Sequence, residues 1–253
     1  METTLKQYKF KEIYNEIELE QFLKLRYKTV FNSSVKNFLA FNEHEIDIDI
    51  YDLQSRHFGL FCEDKPAGFL RLVYPKKEVY QEHVFNIGCK YNIFSHKKHS
   101  KREIENLDYP DFPFISYPNT PCSIQNYYKI LTAKEETLVE PSRLMLFQNI
   151  NGVNKAKFLT ECAIAVYVLT CMGKKHAVIN CDVRHERFYQ RYGFQKVNNT
   201  EGESYHLKNK NATLLALCMS SSLRASPICE TYHDSIENMV DEFSNTNAIT
   251  RTI

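Results

Sequence analysis

Three separated segments of the chain place strong charges beside apolar residues. They are Leu25–Lys28 followed by Phe31, Asp47–Asp52, and Glu140–Arg143. Such charges are costly to bury unless they are paired, so we expect the three segments to meet in the folded chain. A carboxylate buried there can accept a proton from a substrate, which makes Glu140 a candidate general base. In the alternative, Glu140 only orients Arg26 or Arg143.

The arginines and aspartates form an alternating set of charges. Its members are Arg26, Asp49, Asp52, Arg71 and Arg143. Bidentate pairing between guanidinium and carboxylate groups would hold them together at the mouth of a binding site. The alternative is a buried ion network that only orders the fold.

Composition restricts the classes of function. The 253 residues carry 32 Lys and Arg against 31 Asp and Glu, which gives no support to a nucleic-acid or membrane-surface partner by bulk attraction. The eight cysteines form no CxxC pair and follow no secretory leader, so we expect reduced thiols and a cytoplasmic protein. No apolar run reaches the ~20 residues of a membrane span. No metal site is expected, because Cys89, His96 and His99 lack an evident fourth ligand.

The apolar spacing predicts an α/β fold. One domain is expected over residues 1–219, with an irregular, proline-rich insertion at about 76–134, and a polar tail over 220–253 with a possible short helix around 235–243. Helices are predicted over 16–27, 155–172 and 184–192. Strands are predicted over 57–62, 67–74, 137–147, 175–181, 194–197 and 213–219.

The segment Asp182–Phe194 carries a family resemblance. It resembles the N-x-x-A-x-x-F-Y-x-x-x-G-F segment of the GCN5-related N-acetyltransferases, with Asp182 and His185 departing from the usual Asn and Ala. The resemblance implies a mixed, mostly antiparallel central sheet with flanking helices, in which splayed strands form a cleft for an acyl donor.

The N-terminal half is similar to one branch of that superfamily, the acyl-homoserine lactone synthases, N-acyl amino acid synthases and exosortase-associated acyltransferases. That branch shows L-R-x-x-x-F, E-x-D-x-[FY]-D, a strand with an Arg, and E-x-S-R. Here these elements appear as Leu25-Arg26 with Phe31 one residue late, Asp47–Asp52, Arg71, and Glu140–Arg143. The likeness covers about 16–75 and 136–197. Asp47 replaces the first Glu, there is no Trp, and no R-x-x-G-x-G/A loop precedes the long helix.

The resemblance implies transfer of a fatty acyl group from a thioester to an amine. This reaction needs a neutral amine, a polarised carbonyl and a thiolate that can leave. Glu140 is the expected base. Tyr189 is the expected acid for the departing sulfur, unless it is a packed aromatic. The residues implied to bind the substrate are Arg26, Phe31, Asp49, Asp52, Arg71, Ser142 and Arg143.

No permanently bound cofactor is expected, since the acyl thioester of an acyl-carrier protein or of coenzyme A is a co-substrate. Its phosphate is expected at the turn that opens the long helix, at Gln148, Gly152, Asn154 and Lys155. The missing Arg and Gly-rich pattern favours the carrier protein. The basic run His96, Lys97, Lys98, Lys101 and Arg102 is a candidate dock for that acidic protein, or simply a solvated loop.

The absent Trp and the long insertion favour an N-acyl amino acid synthase with a small amine acceptor. One alternative is an acyl-homoserine lactone synthase that uses S-adenosylmethionine. Another is a catalytically silent sensor that binds an acyl ligand or the carrier protein. A nucleic-acid role through the basic run is a more distant alternative.

Overall fold

A computed structural model of the chain describes residues 6–33, 36, 39, 41–94, 108–117, 120–134, 138–147, 153–170, 176–197, 205–209, 212–222 and 227–253. Nine strands are present in these ranges and form one sheet. They are β1 (Gln7–Glu12), β2 (Ser55–Cys62), β3 (Lys65–Val73), β4 (Leu138–Leu146), β5 (His176–Asp182), β6 (Gln195–Lys196), β7 (Tyr205–Asn209), β8 (Ala212–Ser222) and β9 (Ala248–Thr252).

The strand order is β6-β8-β5-β4-β3-β2-β1-β9, with β7 also paired to β8. The pairing is antiparallel throughout except between β4 and β5, which are parallel. This confirms the predicted mixed, mostly antiparallel sheet.

Helices flank both faces of the sheet. They are α1 (Glu16–Phe31), α2 (Glu82–Lys90), α3 (Pro113–Ser116), α4 (Cys122–Ala133), α5 (Val153–Thr170), α6 (Glu186–Gln190) and α7 (Pro227–Thr246), with 3-10 turns at Ile50–Gln54 and Val183–His185. Helix α1 begins where predicted because the Asn15 side chain caps the N–H groups of Ile17 and Glu18. In the described ranges, no helix combines the length and the apolar character that crossing a bilayer requires.

Strands β4 and β5 separate shortly after they begin. Only Leu138 with His176 and Val139 with Ala177 are paired between them. Further along, β4 remains paired with β3 and β5 with β8, so a gap opens inside the sheet. On the β3 side, β4 carries an extra residue between its pairs at Ser142 and Met145, and Arg143 there has φ 55°. The predicted splayed strands are therefore present.

The C-terminal segment corrects the sequence prediction. The helix expected around 235–243 is present as part of α7, which spans twenty residues and packs on α5, and β9 pairs with β1. The described residues 227–253 are therefore part of the fold and not a separate polar tail. Strand β1, which the sequence pattern did not indicate, would otherwise be an open edge of the sheet, and β9 satisfies its N–H and C=O groups.

The predicted insertion is also ordered where it is described. It contributes α2, α3 and α4. Buried Phe112 and Phe114 anchor α3 in an apolar cluster with Val73 and Leu138 of the sheet. The part of the insertion around α3 therefore lies against the strands that diverge.

Candidate active site

A cavity of about 560 Å³ opens where β4 and β5 separate. One part of its wall is apolar and comes from the sheet, from α5 and from the segment between α6 and β6, and the other part carries charges and phenols. The apolar part includes Leu70, Leu144, Met145, Ala163, Ile164, Ala177, Ile179, Tyr192 and Phe194. The polar part includes Asp47, Asp49, Tyr51, Arg71, Ser116, Tyr117, Glu140, Ser142 and Arg143. Such an arrangement suits a ligand with an apolar chain and a polar end.

Arg26 is buried behind the polar wall. Its Nη1 and Nη2 donate to the two carboxylate oxygens of Asp52, each at 2.9 Å, and its Nε donates to Asp47 at 2.8 Å. Arg26 and Asp52 are both 0% exposed. Burial alone would raise the pKa of Asp52, but the charges of Arg26 and of Arg71 hold it well below its usual range. This bidentate pair therefore stays ionised without contact to solvent.

Arg71 joins this buried pair to the cavity. Its Nη1 donates to Asp49 at 2.6 Å and lies 3.1 Å from Asp52, and its Nε donates to Ser142 Oγ at 2.9 Å. Strand β3 places Arg71 directly opposite Ser142 of β4. Arg71 thus links the acidic segment 47–52 to the strand that carries Glu140.

The acidic segment is held by its own local bonds. Asp49 accepts from the N–H of Tyr51 at 2.9 Å, and Asp52 accepts from the N–H of Asp49 at 2.8 Å. This reciprocal cap starts the 3-10 turn Ile50–Gln54 and directs both carboxylates toward the arginines. The three-residue spacing of Asp49 and Asp52 in the sequence allows this reciprocal cap.

Glu140 lies in the cavity wall and is 3% exposed. Burial raises its pKa to about 8, although the N–H of Phe114 and the charge of Arg71 act in the opposite direction. The Phe114 N–H donates to Glu140 Oε2 at 2.9 Å. Glu140 can therefore change its protonation state close to neutral pH, as a general base must.

Tyr189 lies in the wall of the same cavity on α6. Its ring packs edge-on against Phe188 and Phe194, with ring centroids 5.3 Å and 5.9 Å away. Burial raises the pKa of Tyr189, so the phenol keeps its proton at neutral pH. The position of Tyr189 in the cavity wall fits a proton donor, and its ring contacts fit a packed aromatic, so both roles named in the sequence analysis stay open.

Other predicted site residues lie away from the cavity wall. Phe31 is 46% exposed, stacks on Tyr27 and contacts Phe41 edge-on, and it does not line the cavity. Arg26 and Asp52 do not line the cavity, but they contact Asp47, Asp49 and Arg71, which do. Asn154 and Lys155 lie in the first turn of α5, where Lys155 is 5.9 Å from the ring centroid of Tyr8. The remaining predicted site residues lie outside the described residues. They are Gln148, Gly152 and the basic run His96, Lys97, Lys98, Lys101 and Arg102.

Sequence reasoning missed several residues of the site. Pro113, Ser116 and Tyr117 come from the predicted insertion and line the cavity, and no pattern in the sequence indicated them. His57 was also missed. It is 1% exposed, its Nε2 lies 3.0 Å from Asp52, and burial lowers its pKa, so it is a neutral partner of the ion network. A histidine within a buried strand, five residues after Asp52, was the available signal.

Comparison with known proteins finds similarity in fold rather than in sequence. No protein-family model matches the chain, and no curated protein matches it in sequence. Among solved structures it is similar to FeeM, an N-acyl amino acid synthase from uncultured soil microbes (11% identity, TM-score 0.53, covering 91% of this chain and 100% of that one).

Two lactone synthases are similarly close. The acyl-homoserine lactone synthase LasI has 15% identity and a TM-score of 0.52, covering 89% of this chain and 94% of its own. The CoA-dependent acyl-homoserine lactone synthase BjaI, solved with S-adenosylmethionine and isopentyl-CoA, has 14% identity and a TM-score of 0.52, covering 91% and 90%. This chain therefore shares the fold of FeeM, LasI and BjaI, and this agrees with the GCN5-related N-acyltransferase fold expected from its sequence.

Proposed function

We propose that the protein is an N-acyltransferase that moves a fatty acyl group from a thioester to the amine of a small amino-acid-like acceptor. The observation that carries this proposal is Glu140, a buried carboxyl with a pKa of about 8 on the strand that borders the gap between β4 and β5. A base of this kind beside an opening in the sheet is what attack of an amine on a thioester requires.

The reaction proceeds by addition and elimination at the thioester carbonyl. Glu140 takes a proton from the acceptor ammonium, and the neutral amine nitrogen forms a C–N bond to the carbonyl carbon. Main-chain N–H groups of β4 that face the gap stabilise the oxyanion, because they are not used for pairing with β5 beyond Val139. The C–S bond then breaks and Tyr189 protonates the sulfur. The nitrogen passes its second proton to the Tyr189 phenolate, which restores the phenol, and the products are an amide and a free thiol.

The two parts of the cavity match the two substrates. The apolar wall, which includes Ile164, Ala177 and Phe194, accommodates the acyl chain, and the polar wall around Arg71 and Arg143 accommodates the acceptor. We favour an amino acid as acceptor because the insertion adds Tyr117 and Ser116 to the polar wall. A lactone synthase that uses S-adenosylmethionine is the second candidate, since LasI and BjaI are about as similar to this chain as FeeM.

The proposed donor is the thioester of an acyl-carrier protein rather than of coenzyme A, and its phosphate is proposed to lie near Asn154 and Lys155 at the start of α5. We propose the cytoplasm as the location, in keeping with the free thiols of Cys62, Cys89 and Cys122 and of the other described cysteines.

The test is a reaction of the purified chain with acyl-carrier-protein and acyl-CoA thioesters of several lengths. The acceptors are the twenty amino acids and S-adenosylmethionine, and products are identified by mass spectrometry. An N-acyl amino acid supports the proposal, and an acyl-homoserine lactone selects the second candidate. Absence of acyl transfer and of thioester turnover with every donor would instead favour a silent sensor.

A further inference from the structure

His57 lies at the end of a row of side chains that crosses three strands. Strand pairing places His57 of β2 opposite Arg71 of β3, and Arg71 opposite Ser142 of β4. The His57 ring is 1% exposed and packs against Phe69, with ring centroids 5.8 Å apart. One end of this row is therefore enclosed in the core, and the other end lines the cavity.

The contact with Asp52 fixes the tautomer of His57. Nε2 of His57 lies 3.0 Å from Asp52 Oδ1, and the neighbouring arginines keep this carboxylate ionised. A carboxylate only accepts hydrogen bonds, so the proton of a neutral His57 is on Nε2 and donates to Asp52. Nδ1 is then a hydrogen-bond acceptor. It is buried, and it has no donor among the residues that the structure describes.

His83 carries a second buried ring nitrogen. Its Nε2 has no hydrogen-bond partner within the described ranges. His83 lies in the first turn of α2 and interacts electrostatically with His57, so the two imidazoles are near neighbours. The start of α2 is attached to the 3-10 turn that carries Asp52, because the N–H of Gln81 donates to the C=O of Leu53 at 2.8 Å.

The surroundings of His57 keep its ring neutral. Burial lowers its pKa, and the positive charges of Arg26 on α1 and Arg71 on β3 act in the same direction, although Asp52 acts against them. A second proton, on Nδ1, would add a buried positive charge beside two arginines. At neutral pH, His57 therefore keeps an acceptor at Nδ1.

His83 is kept neutral as well. Burial lowers its pKa and His57 acts in the same direction, while Glu16 of α1 and Glu12 of β1 act against them. Glu12 is already bound by Arg56, whose Nε donates to it at 2.7 Å. The first turn of a helix also disfavours a positive charge, because the helix dipole is positive there. A neutral His83 with its proton on Nε2 is the kind of donor that Nδ1 of His57 lacks.

We propose that His83 donates a hydrogen bond from Nε2–H to Nδ1 of His57, directly or through one buried water, and that the two histidines are positioning residues for Arg71. The contact satisfies both buried nitrogens. It holds the His57 ring with its Nε2–H on Asp52. Asp52 in turn orients Arg71 toward Ser142 in the cavity wall. This inference goes beyond the proposed function, and only its effect on the reaction rate rests on that function.

The first experiment locates the protons of the two rings. Two-bond 1H–15N NMR spectra of the labelled chain report which ring nitrogens carry a proton, and His57→Gln and His83→Gln assign the signals among the nine histidines. At pH 7 we expect one proton on Nε2 in each ring and a hydrogen-bonded Nδ1 in His57. Protons on both nitrogens of His57, or a proton on Nδ1 instead of Nε2 in His83, would overturn the inference. The measurement needs no substrate, so it decides the matter even if the proposed reaction is not found.

The second experiment tests the coupling to the cavity. His83→Phe removes the donor and keeps a ring, whereas His83→Gln keeps an amide N–H that can serve the same acceptor. We expect His83→Phe to move the Nδ1 resonance of His57 to that of a nitrogen without a hydrogen bond and to lower kcat about tenfold. His83→Gln should lower kcat no more than about threefold, because the hydrogen bond is retained.

Asn86→Phe is the matched control for these variants. Asn86 is an exposed residue of α2, three positions after His83, and its replacement should leave both the resonance and kcat unchanged. An unmoved His57 resonance in His83→Phe would show that the hydrogen bond is absent. A moved resonance with wild-type kcat, or equal losses of kcat in His83→Phe and His83→Gln, would overturn the positioning role.

Discussion

The main-chain N–H of Phe114 donates a hydrogen bond to the carboxyl of Glu140 at 2.9 Å. Phe114 belongs to α3 in the predicted insertion, and Glu140 belongs to the central sheet. The insertion therefore supplies a main-chain donor that holds Oε2 of the proposed base. It also acts against the effect of burial on the pKa of Glu140.

The first prediction concerns Glu140 as a base. Because its pKa is about 8, the rate of amide formation should rise with pH and level off above that value. Glu140→Gln should lower kcat at least 100-fold and remove this limb of the pH profile. Initial rates between pH 6 and pH 9.5 check it. A Gln variant with wild-type rates and the same profile would show that another group accepts the proton.

The second prediction concerns stability and pH. The folded chain keeps the proton of Glu140 up to about pH 8, whereas an unfolded carboxyl releases it near 4.5. Between these values the native state binds more protons, so this group lowers stability as pH rises, by at most about 1.4 kcal/mol per pH unit.

Urea unfolding at pH 5 and pH 8 measures this effect. Glu140→Gln should lose less stability than the wild type between the two pH values. Parallel losses in both proteins would mean that Glu140 titrates near its ordinary pKa.

The third prediction concerns the buried ion pair. Asp52→Asn leaves Arg26 and Arg71 without a full charge partner in a site closed to solvent, and should cost about 3 kcal/mol or more of unfolding free energy. Glu63→Gln is the control, since Glu63 pairs with Lys6 at the surface and the change should leave stability unaltered within error. Equal stability of the two variants in urea titrations would contradict a structural role for Asp52.

The fourth prediction concerns Tyr189. If its phenol protonates the leaving sulfur, Tyr189→Phe should reduce kcat about 100-fold with an alkyl thioester. The loss should be much smaller with an aryl thioester, whose thiolate leaves without a proton. A tyrosine that only packs against Phe188 and Phe194 would give the same loss with both donors, so the ratio of the two rates separates the roles.

The fifth prediction concerns the acyl chain. Ala163 of α5 lines the apolar part of the cavity and is 8% exposed. Ala163→Phe fills space that a long chain would occupy, and should shift the preferred donor to shorter acyl groups. Competition between donors of different lengths, analysed by mass spectrometry, measures the shift, and the rate with a two-carbon donor reports whether the variant is intact. An unchanged length preference would place the chain elsewhere.

The sequence determined the local parts of this arrangement. Short-range patterns of charge, polarity and spacing predicted the charged segments, the strands β2 and β3 and the long helix α5, and such patterns can be read without knowing the fold. The need to pair buried charges correctly predicted that Arg26, Asp49, Asp52, Arg71 and Arg143 would meet.

The tertiary structure decided what surrounds them. Four features depend on contacts between residues far apart in the chain. The main chain of α3 bonds to Glu140, Tyr117 lines the pocket, Phe31 lies at the surface, and β9 pairs with β1 at the edge of the sheet. Such contacts are decided by competition for burial and for hydrogen bonds across the whole molecule, and no local pattern carries that information. The pKa of Glu140 belongs to the same class, because it is set by the depth at which the folded chain buries the carboxyl.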